Sequence, residues 1–137
     1  MPLKTCVGAV LYDDLYRIFL MTSPKWKGYL IPGGRIEPGE TEEQALRREI
    51  REELNVEITD LVRAGESIKP AGTDFIDPAV EFHFKNYFAR ALSTVVKPNQ
   101  EIAQYGWYAV DQALPLPLLD STPELVRKFQ TYLVTRR

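Results

Sequence analysis

The sequence predicts an α/β (α+β) fold in which a mixed β-sheet is packed between helices. Extended segments outnumber helical ones along the chain, yet two segments carry clear helical signatures. The length of 137 residues suits one domain, and no repeat, low-complexity tract or linker divides the sequence. We therefore expect a single domain over residues 1–137.

The N-terminal part is expected to form a β-hairpin followed by a glycine-rich turn. Leu3–Tyr12 reads as a strand, Asp13–Asp14 as a turn, and Tyr16–Met21 as a returning strand. After a loop, Tyr29–Ile31 is a short extended piece that runs into Pro32–Gly34. Two glycines directly after a proline indicate an unusual backbone path.

The clearest helix is predicted over Glu42–Leu54. Thr41 is a good N-cap, and Gln44, three residues later, completes a capping box. Asn55 stands where a left-handed C-terminal cap belongs, a position that usually takes glycine and sometimes asparagine.

The second half of the chain is predicted to be mainly extended and to end in a helix. Its expected strands are Val56–Ser67, Val80–Leu92 and Ala103–Val110. Asp111 is expected to cap a short helical turn, and Thr122 with Pro123 to open the C-terminal helix.

Composition excludes several kinds of site and partner. A net charge of −2 gives no sign of general nucleic-acid binding, and a single histidine excludes a metal site built on several imidazoles. The lone cysteine, Cys6, cannot form an intramolecular disulfide and is expected to be a buried strand residue. No segment has the length and apolarity of a membrane span or the pattern of a signal peptide, and the lone cysteine indicates a reducing compartment, so we expect a cytoplasmic protein.

The predicted central helix concentrates negative charge on one face. With about 100° between successive residues, Glu52 and Glu53 fall within about 60° of Glu49. The apolar stripe of Leu46, Ile50 and Leu54 lies directly beside these carboxylates. Like charges at spacings of three and four residues repel each other, and the repulsion grows as the local dielectric falls.

A hard divalent cation would compensate this repulsion, because Mg²⁺ prefers oxygen ligands and keeps waters that leave room for phosphates. Such an ion could activate a water molecule and neutralise charge on a departing phosphate. The alternative, from the helix alone, is a solvated acidic face without any function.

The residues around this helix resemble the box motif of the Nudix hydrolase family, G-x5-E-x7-R-E-U-x-E-E-x-G-U, where U is aliphatic. Eight of its nine defined positions agree, namely Gly34, Glu40, Arg48, Glu49, Ile50, Glu52, Glu53 and Val56. The departure is Asn55, which replaces the usual glycine at a left-handed helix end and not at a metal ligand. The resemblance implies the Nudix α/β/α sandwich.

The resemblance also implies roles for individual residues. Glu52 and Glu53 would be the principal metal ligands, and Glu49 an additional ligand or the base near the attacking water. The carbonyl oxygen of Gly33 would be a backbone ligand. Arg48 would hold a glutamate in a charge-assisted fork, and Glu40 and Gly34 would support the site.

Outside the motif, fewer residues suggest a role. Lys25, Trp26 and Lys27 form a loop segment that could grip phosphate and stack on a base, with plain loop surface as an equal alternative. Tyr29 follows this loop and is a further candidate for substrate contact. On the strand Val80–Leu92, the alternation places Phe82, Phe84 and Phe88 on one face, and we expect these rings to be core more than a stacking platform.

The opposite face of that strand carries Glu81 and His83, which are candidates for lining the substrate cleft, although a structural role for His83 is the stronger expectation. Members of the family often recruit another carboxylate from outside the motif. Glu101, in a polar loop, is preferred over Glu81 because loops at sheet ends can swing a side chain toward substrate.

The function that the resemblance implies is Mg²⁺-dependent hydrolysis of a diphosphate linkage in a nucleoside diphosphate joined to another group, with Mn²⁺ expected to substitute. The partner would be a small nucleotide-like molecule. The alternatives are an RNA 5′-end pyrophosphohydrolase, which a net charge of −2 does not favour, and a catalytically silent binding domain, which the intact glutamates oppose. Many relatives are homodimers, but no exposed apolar stripe in this sequence indicates one.

Overall fold

The computed structural model describes residues 3–25, 28–71 and 79–135, and it contains six strands and three helices in these ranges. In chain order they are β1 (Leu3–Tyr12), β2 (Ile18–Thr22), β3 (Gly33–Arg35), α1 (Glu42–Leu54), β4 (Ile58–Lys69), β5 (Glu81–Ala91), β6 (Gln104–Tyr108), α2 (Val110–Ala113) and α3 (Thr122–Thr135).

The strands form one mixed sheet with the order β4-β5-β1-β2-β6, and β3 pairs with β1 beside β2. The central pair β1 and β5 is parallel, whereas the other pairs are antiparallel. One face of the sheet packs on α1 and the other on α2 and α3. The predicted mixed sheet between helices is confirmed.

Strand β1 supplies both cores because its side chains alternate between the two faces of the sheet. Val7, Ala9 and Leu11 pack with α1, whereas Val10 and Tyr12 pack with α3. Each residue of β5 points to the same face as its partner on β1. This register decides which β5 side chains can reach the α1 face and which can reach the α3 face.

Helix α1 has the termini that the sequence predicts. The Thr41 side chain accepts a hydrogen bond from the Gln44 backbone N–H, and the Gln44 side chain accepts one from the Thr41 N–H. The backbone of Asn55 is left-handed, with φ 57° and ψ 43°, and its N–H donates to the Arg51 carbonyl over 2.9 Å. These contacts pair backbone groups that a helix end otherwise leaves free.

We expect Asn55→Gly to leave turnover nearly unchanged and to alter the free energy of unfolding by no more than about 1 kcal/mol, because glycine reaches the left-handed region without a side-chain penalty. Asn55→Ala is the matched control and should lower the free energy of unfolding by about 1–2 kcal/mol. Chemical denaturation of both variants measures this difference. A large loss of turnover in Asn55→Gly would instead assign the asparagine side chain a role of its own.

The hairpin turn is longer than predicted, so the second strand begins at Ile18 and not at Tyr16. The Asp13 carboxylate accepts hydrogen bonds from the backbone N–H groups of Leu15 and Arg17, both over 2.9 Å. Tyr16 takes a left-handed conformation with φ 59°. The Asp13 side chain therefore keeps Tyr16 and Arg17 in the turn, although the alternation of the sequence alone assigns them to the strand.

Two helix starts also differ from the prediction. Helix α2 is capped at Ala109, so Asp111 lies within its first turn and is not the cap. Helix α3 begins at Thr122 itself, and the Ser121 carbonyl accepts the hydrogen bond from the Leu125 N–H over 3.1 Å. Within the described ranges, no helix is long and apolar enough to cross a membrane.

Candidate active site

The glutamate face of α1 meets the glycine-rich strand β3 at Glu53. The Gly33 N–H donates to Oε1 of Glu53 over 2.9 Å, and the glutamate is only 5% exposed. Because its neighbour Leu54 packs into the core, the helix cannot turn Glu53 out to water without exposing apolar surface. The fold therefore holds one carboxylate of the predicted ligand set in a buried position.

Both glycines of β3 are required by close approaches. A Cβ atom added to Gly33 would lie 2.1 Å from the Val7 carbonyl oxygen, and one added to Gly34 would lie 2.3 Å from the Glu49 carboxyl carbon. Gly33 therefore permits the pairing of β3 with β1, and Gly34 leaves room for the carboxylate of Glu49.

Arg48 organises the rest of the acidic face. Its Nε and Nη2 donate to the two oxygens of Glu40 over 2.7 and 2.9 Å, a bidentate fork. Its Nη1 donates to Glu49 over 2.9 Å and lies 3.3 Å from Glu52, and Nη2 also reaches the Arg35 carbonyl. The hydrogen bonds from Arg48 lower the pKa of Glu40 to about 2.

The pKa values of Glu53, which is buried, and of Glu49, which is half-buried, shift in the opposite direction. Burial raises the pKa of Glu53 to about 8, and the charges of Glu49, Glu101 and Glu52 add to this rise against the hydrogen bond from Gly33. Burial likewise raises the pKa of Glu49, although its contact with Arg48 opposes the shift. Glu53 therefore carries a negative charge near other carboxylates only at a considerable cost.

The loop between β5 and β6 brings Glu101 to this cluster. The N–H groups of Lys97 and Asn99 donate to the carbonyls of Leu54 and Glu53, each over 2.8 Å, so the loop is fastened to the end of α1. The Asn99 side chain in turn accepts the Glu101 N–H over 3.0 Å. Glu101 comes close enough for its charge to raise the pKa values of Glu49 and Glu53.

The donor set suits a hard cation, although it is not a closed cage. Within residues 3–25, 28–71 and 79–135, no three acidic, histidine or cysteine side chains converge tightly enough to hold a metal ion as they stand. Glu49 faces Arg48, and the Glu52 side chain is 58% exposed. Glu53, in contrast, accepts one hydrogen bond from a backbone N–H and lies near three other carboxylates. A divalent cation would compensate this concentration of negative charge, and the oxygen donors present fit such an ion.

A cleft of about 510 Å³ extends from two of these carboxylates to the first turn of α3. Glu53 and Glu101 line it, together with Gly33 and Gly34 of β3. Phe82, Phe84 and Asn86 of β5 line the same cleft. The volume is that of a small-molecule site, with an acidic region and an aromatic region in one cavity.

Four basic side chains also line this cleft, namely Lys4, Lys25, Arg35 and Lys69. Lys69 forms an ion pair with Asp120 over 3.0 Å. Basic groups near the carboxylates suit a ligand that carries phosphate.

The expectation that the three phenylalanines of β5 are core residues is wrong for two of them. Phe88 is buried against Phe129 of α3, but Phe82 and Phe84 are only partly buried and line the cleft. The rings share one face, as alternation predicts, but α3 covers only part of that face. The sequence pattern does not indicate how far along β5 the contact with α3 extends.

Glu81 and His83 lie away from the cleft. They are partners of Leu3 and Thr5 in the β1–β5 register, which places them on the α1 face, and His83 Nε2 contacts Glu81 over 2.8 Å. Neither residue lines the cleft, so the structure offers no contact through which they would bind substrate there.

The remaining candidates for substrate contact are divided. Lys25 lines the cleft, whereas Tyr29 packs edge-on against Tyr108 beside the α3 core and does not line it. Trp26 and Lys27 lie outside the described residues. Asn86 also lines the cleft and was not predicted from the sequence. One feature of the sequence could have indicated it, because Asn86 is a polar residue between Phe84 and Phe88 on an otherwise apolar face.

Comparison with known proteins identifies the family. The family model described as the NUDIX domain matches residues 2–129. The chain belongs to the Nudix family. Hydrolysis of a pyrophosphate bond is the reaction of Nudix hydrolases, and they typically require a divalent metal.

Among individual relatives, the chain is 30% identical to nucleoside triphosphatase NudI of Escherichia coli strain K12 over 104 residues, 72% of this chain and 74% of that protein. The crystal structure of the MutT Nudix hydrolase from Burkholderia pseudomallei matches with a TM-score of 0.79 at 23% identity, over 93% of this chain and 98% of that one.

The Nudix domain of Shewanella oneidensis NrtR, solved with ADP ribose, matches with a TM-score of 0.79 at 18% identity, over 97% of this chain and 90% of that one. At these identities the two solved structures establish the shared fold alone.

Proposed function

We propose that this Nudix protein hydrolyses a diphosphate linkage in a nucleotide, specifically a nucleoside diphosphate joined to another group, with the aid of Mg²⁺. One observation carries the proposal: the buried, charge-crowded Glu53 opens into the same cleft as Phe82 and Phe84. A phosphate chain at the acidic end would place an attached nucleoside along the aromatic end. The relatives include a nucleoside triphosphatase and a domain that binds ADP ribose, which supports a nucleotide ligand.

Glu52, Glu53, Glu49 and the Gly33 carbonyl are the groups that would hold the ion. When bound, Mg²⁺, or Mn²⁺ in its place, would activate water and neutralise charge on the phosphates. Phosphoryl transfer depends mainly on positioning and charge stabilisation, so the fold must keep these oxygens in place before substrate arrives.

The other residues of the site position these groups. Arg48 connects α1 to the preceding loop through its fork to Glu40, and it restrains Glu49 at the same time. We propose that Glu49 or Glu101 accepts the proton of the attacking water, since both carboxylates are close to Glu53. Lys25 and Arg35 are proposed to contact the phosphates at the cleft wall.

Two other functions remain alternatives. An RNA 5′-end pyrophosphohydrolase would need a basic path beyond the cleft, and a net charge of −2 does not favour one. A silent binding domain would not need to retain buried Glu53 beside three other carboxylates, because such a cluster is costly without a cation.

The proposed function is tested by chromatographic separation of the reaction products, with Mg²⁺ present, for nucleoside triphosphates, nucleotide sugars including ADP-ribose, dinucleoside polyphosphates and a triphosphorylated RNA; cleavage of the diphosphate linkage yields a nucleoside phosphate together with pyrophosphate or a second phosphate ester. Turnover of a free nucleotide, abolished by a chelator and restored by Mg²⁺, is the expected result. Turnover of the RNA alone would favour the first alternative. Metal-dependent nucleotide binding without any turnover would favour the second.

Glu101→Gln should lower kcat tenfold or more with little change in KM, because the loop fastened to α1 brings this carboxylate to the reacting end of the cleft. Glu81→Gln is the matched control, since it removes the same charge from a residue that does not line the cleft, and it should do much less. Steady-state kinetics on the best substrate give both values. The reverse ranking would transfer the role to Glu81, and two silent variants would mean that the α1 carboxylates suffice.

A further inference from the structure

Asn86 is a buried polar side chain that lines the cleft. It is 3% exposed, and it lies on β5 between Phe84 and Phe88 on the face that packs toward α3. Its neighbour across the β1–β5 pair is Gly8, so the adjacent position on β1 carries no side chain that would cover it. A buried amide costs free energy unless its polar atoms find hydrogen-bond partners.

Only part of this amide is paired within the protein. Nδ2 of Asn86 donates to Oγ of Ser67 over 3.1 Å, and Ser67 Oγ lies 3.2 Å from Ser121 Oγ. In the part of the chain that the structure describes, no N–H or O–H group donates to Oδ1 of Asn86, yet no side-chain oxygen there is both fully buried and unpartnered. Oδ1 is therefore an acceptor open to the cleft, and the contact with Ser67 fixes the plane of the amide.

The rings beside Asn86 form a stacked apolar pair. The centroids of Phe82 and Phe84 are 6.1 Å apart and their planes differ by 23°, so the two faces are nearly parallel. Both line the cleft with Asn86, and Phe84 is the next residue on the same face of β5. An aromatic ring system with a polar edge, such as a nucleobase, matches an apolar surface that ends in one fixed amide.

We propose that Asn86 is a specificity-determining residue that reads the edge of a nucleobase: Oδ1 accepts a hydrogen bond from a base N–H while the base lies against Phe82 and Phe84. The ligand class is a nucleoside phosphate whose base has an N–H on its hydrogen-bonding edge. The inference rests on the proposed function, because it assigns the part of the same cleft beside Phe82 and Phe84 to the base of the nucleotide. A site with a buried, fixed acceptor discriminates against analogues without the donor, because the acceptor is then left unpaired.

The competing explanation is purely structural. Through Ser67 and Ser121, Asn86 connects β5, β4 and the start of α3, so it could serve only to fasten the wall of the cleft. If that were its only role, substitution of Asn86 would weaken the binding of every ligand of the cleft equally. Base recognition instead confines the effect to ligands with a base, and among these to bases that keep the N–H.

The test measures binding and not turnover. Dissociation constants are determined by calorimetry, with Mg²⁺ present, for adenosine, guanosine, cytidine and uridine 5′-monophosphates and for ribose 5-phosphate. The wild-type protein should bind one nucleotide at least tenfold more tightly than ribose 5-phosphate. Asn86→Leu should weaken that nucleotide at least tenfold and leave ribose 5-phosphate unchanged. Ser67→Ala, the matched control, keeps Oδ1 and removes only its orienting partner, so it should cost less.

A second comparison changes the ligand, so its wild-type measurement cannot be confused with misfolding of a variant. The preferred nucleotide is replaced by its analogue fully methylated at the donor nitrogen. The wild-type protein should bind this analogue at least tenfold more weakly than the parent nucleotide. Asn86→Leu should bind the analogue and the parent nucleotide equally well. Equal binding of parent and methylated nucleotide by the wild type would overturn the proposal, as would an equal loss for all ligands in Asn86→Leu. Base-selective binding without hydrolysis would refute the proposed function alone, and hydrolysis with no base preference would refute this inference alone.

Discussion

Glu53→Gln and Glu52→Gln, made separately, should each lower kcat by at least about a hundredfold, because each removes a carboxylate charge that would hold the cation against the reacting phosphates. Steady-state kinetics at saturating Mg²⁺ measure the loss. Arg51→Gln is a useful control, since Arg51 pairs with the exposed Glu57 away from the cleft and should retain turnover. Near-wild-type turnover in both glutamate variants would remove them from the proposed metal site.

The same variants should differ in stability when no metal is present. The Glu53 pKa rises from 4.5 to about 8 on folding, so the folded state retains this proton longer than the unfolded state, and stability falls as the pH rises through that window. Glu53→Gln removes this penalty while the amide oxygen can still accept the Gly33 N–H. The metal-free variant should therefore be more stable than the wild type by about 4 kcal/mol near pH 8, with the difference fading toward pH 5.

Glu52→Gln should change metal-free stability by less than about 0.5 kcal/mol, since its side chain is largely exposed and exposed ion pairs contribute little. Chemical denaturation across the pH range, with a chelator present, compares the three proteins. A Glu53→Gln variant that loses both turnover and metal-free stability would indicate that this glutamate supports the fold and not a cation.

The acidic face of α1 could be predicted from the sequence because it depends on local geometry. The spacing of Glu49, Glu52 and Glu53 along one helix fixes their mutual angles, and Thr41 and Asn55 fix where that helix begins and ends. Neither property requires knowledge of the rest of the chain. Which of the three glutamates is buried does require it, because the burial of Glu53 depends on the approach of β3.

The aromatic end of the cleft could not be predicted in this way. Alternation assigned Phe82, Phe84 and Phe88 to one face of β5, but whether a ring lies in the core or in a cleft depends on how far α3 extends across that face. The parallel register of β1 with β5 is also nonlocal, and it moves Glu81 and His83 away from the site. For Glu101, the sequence indicated only a loop, whereas two hydrogen bonds to the end of α1 determine where that loop lies.

Gly33→Ala should lower the free energy of unfolding by at least about 3 kcal/mol, because its Cβ would lie 2.1 Å from the Val7 carbonyl oxygen and 2.6 Å from the Gly8 Cα. Both are backbone atoms of the central strand β1, so they cannot move without disturbing the pairing of β1 with its neighbours.

Gly34→Ala is the matched comparison, because its Cβ would meet the carboxylate end of Glu49, a flexible side chain that can turn aside. This variant should keep most of its stability and lose turnover, since the displaced Glu49 belongs to the proposed site. Chemical denaturation and steady-state kinetics on both variants separate the two effects. Equal stability of the two variants would contradict the argument that backbone approach, and not space for a side chain, requires glycine at position 33.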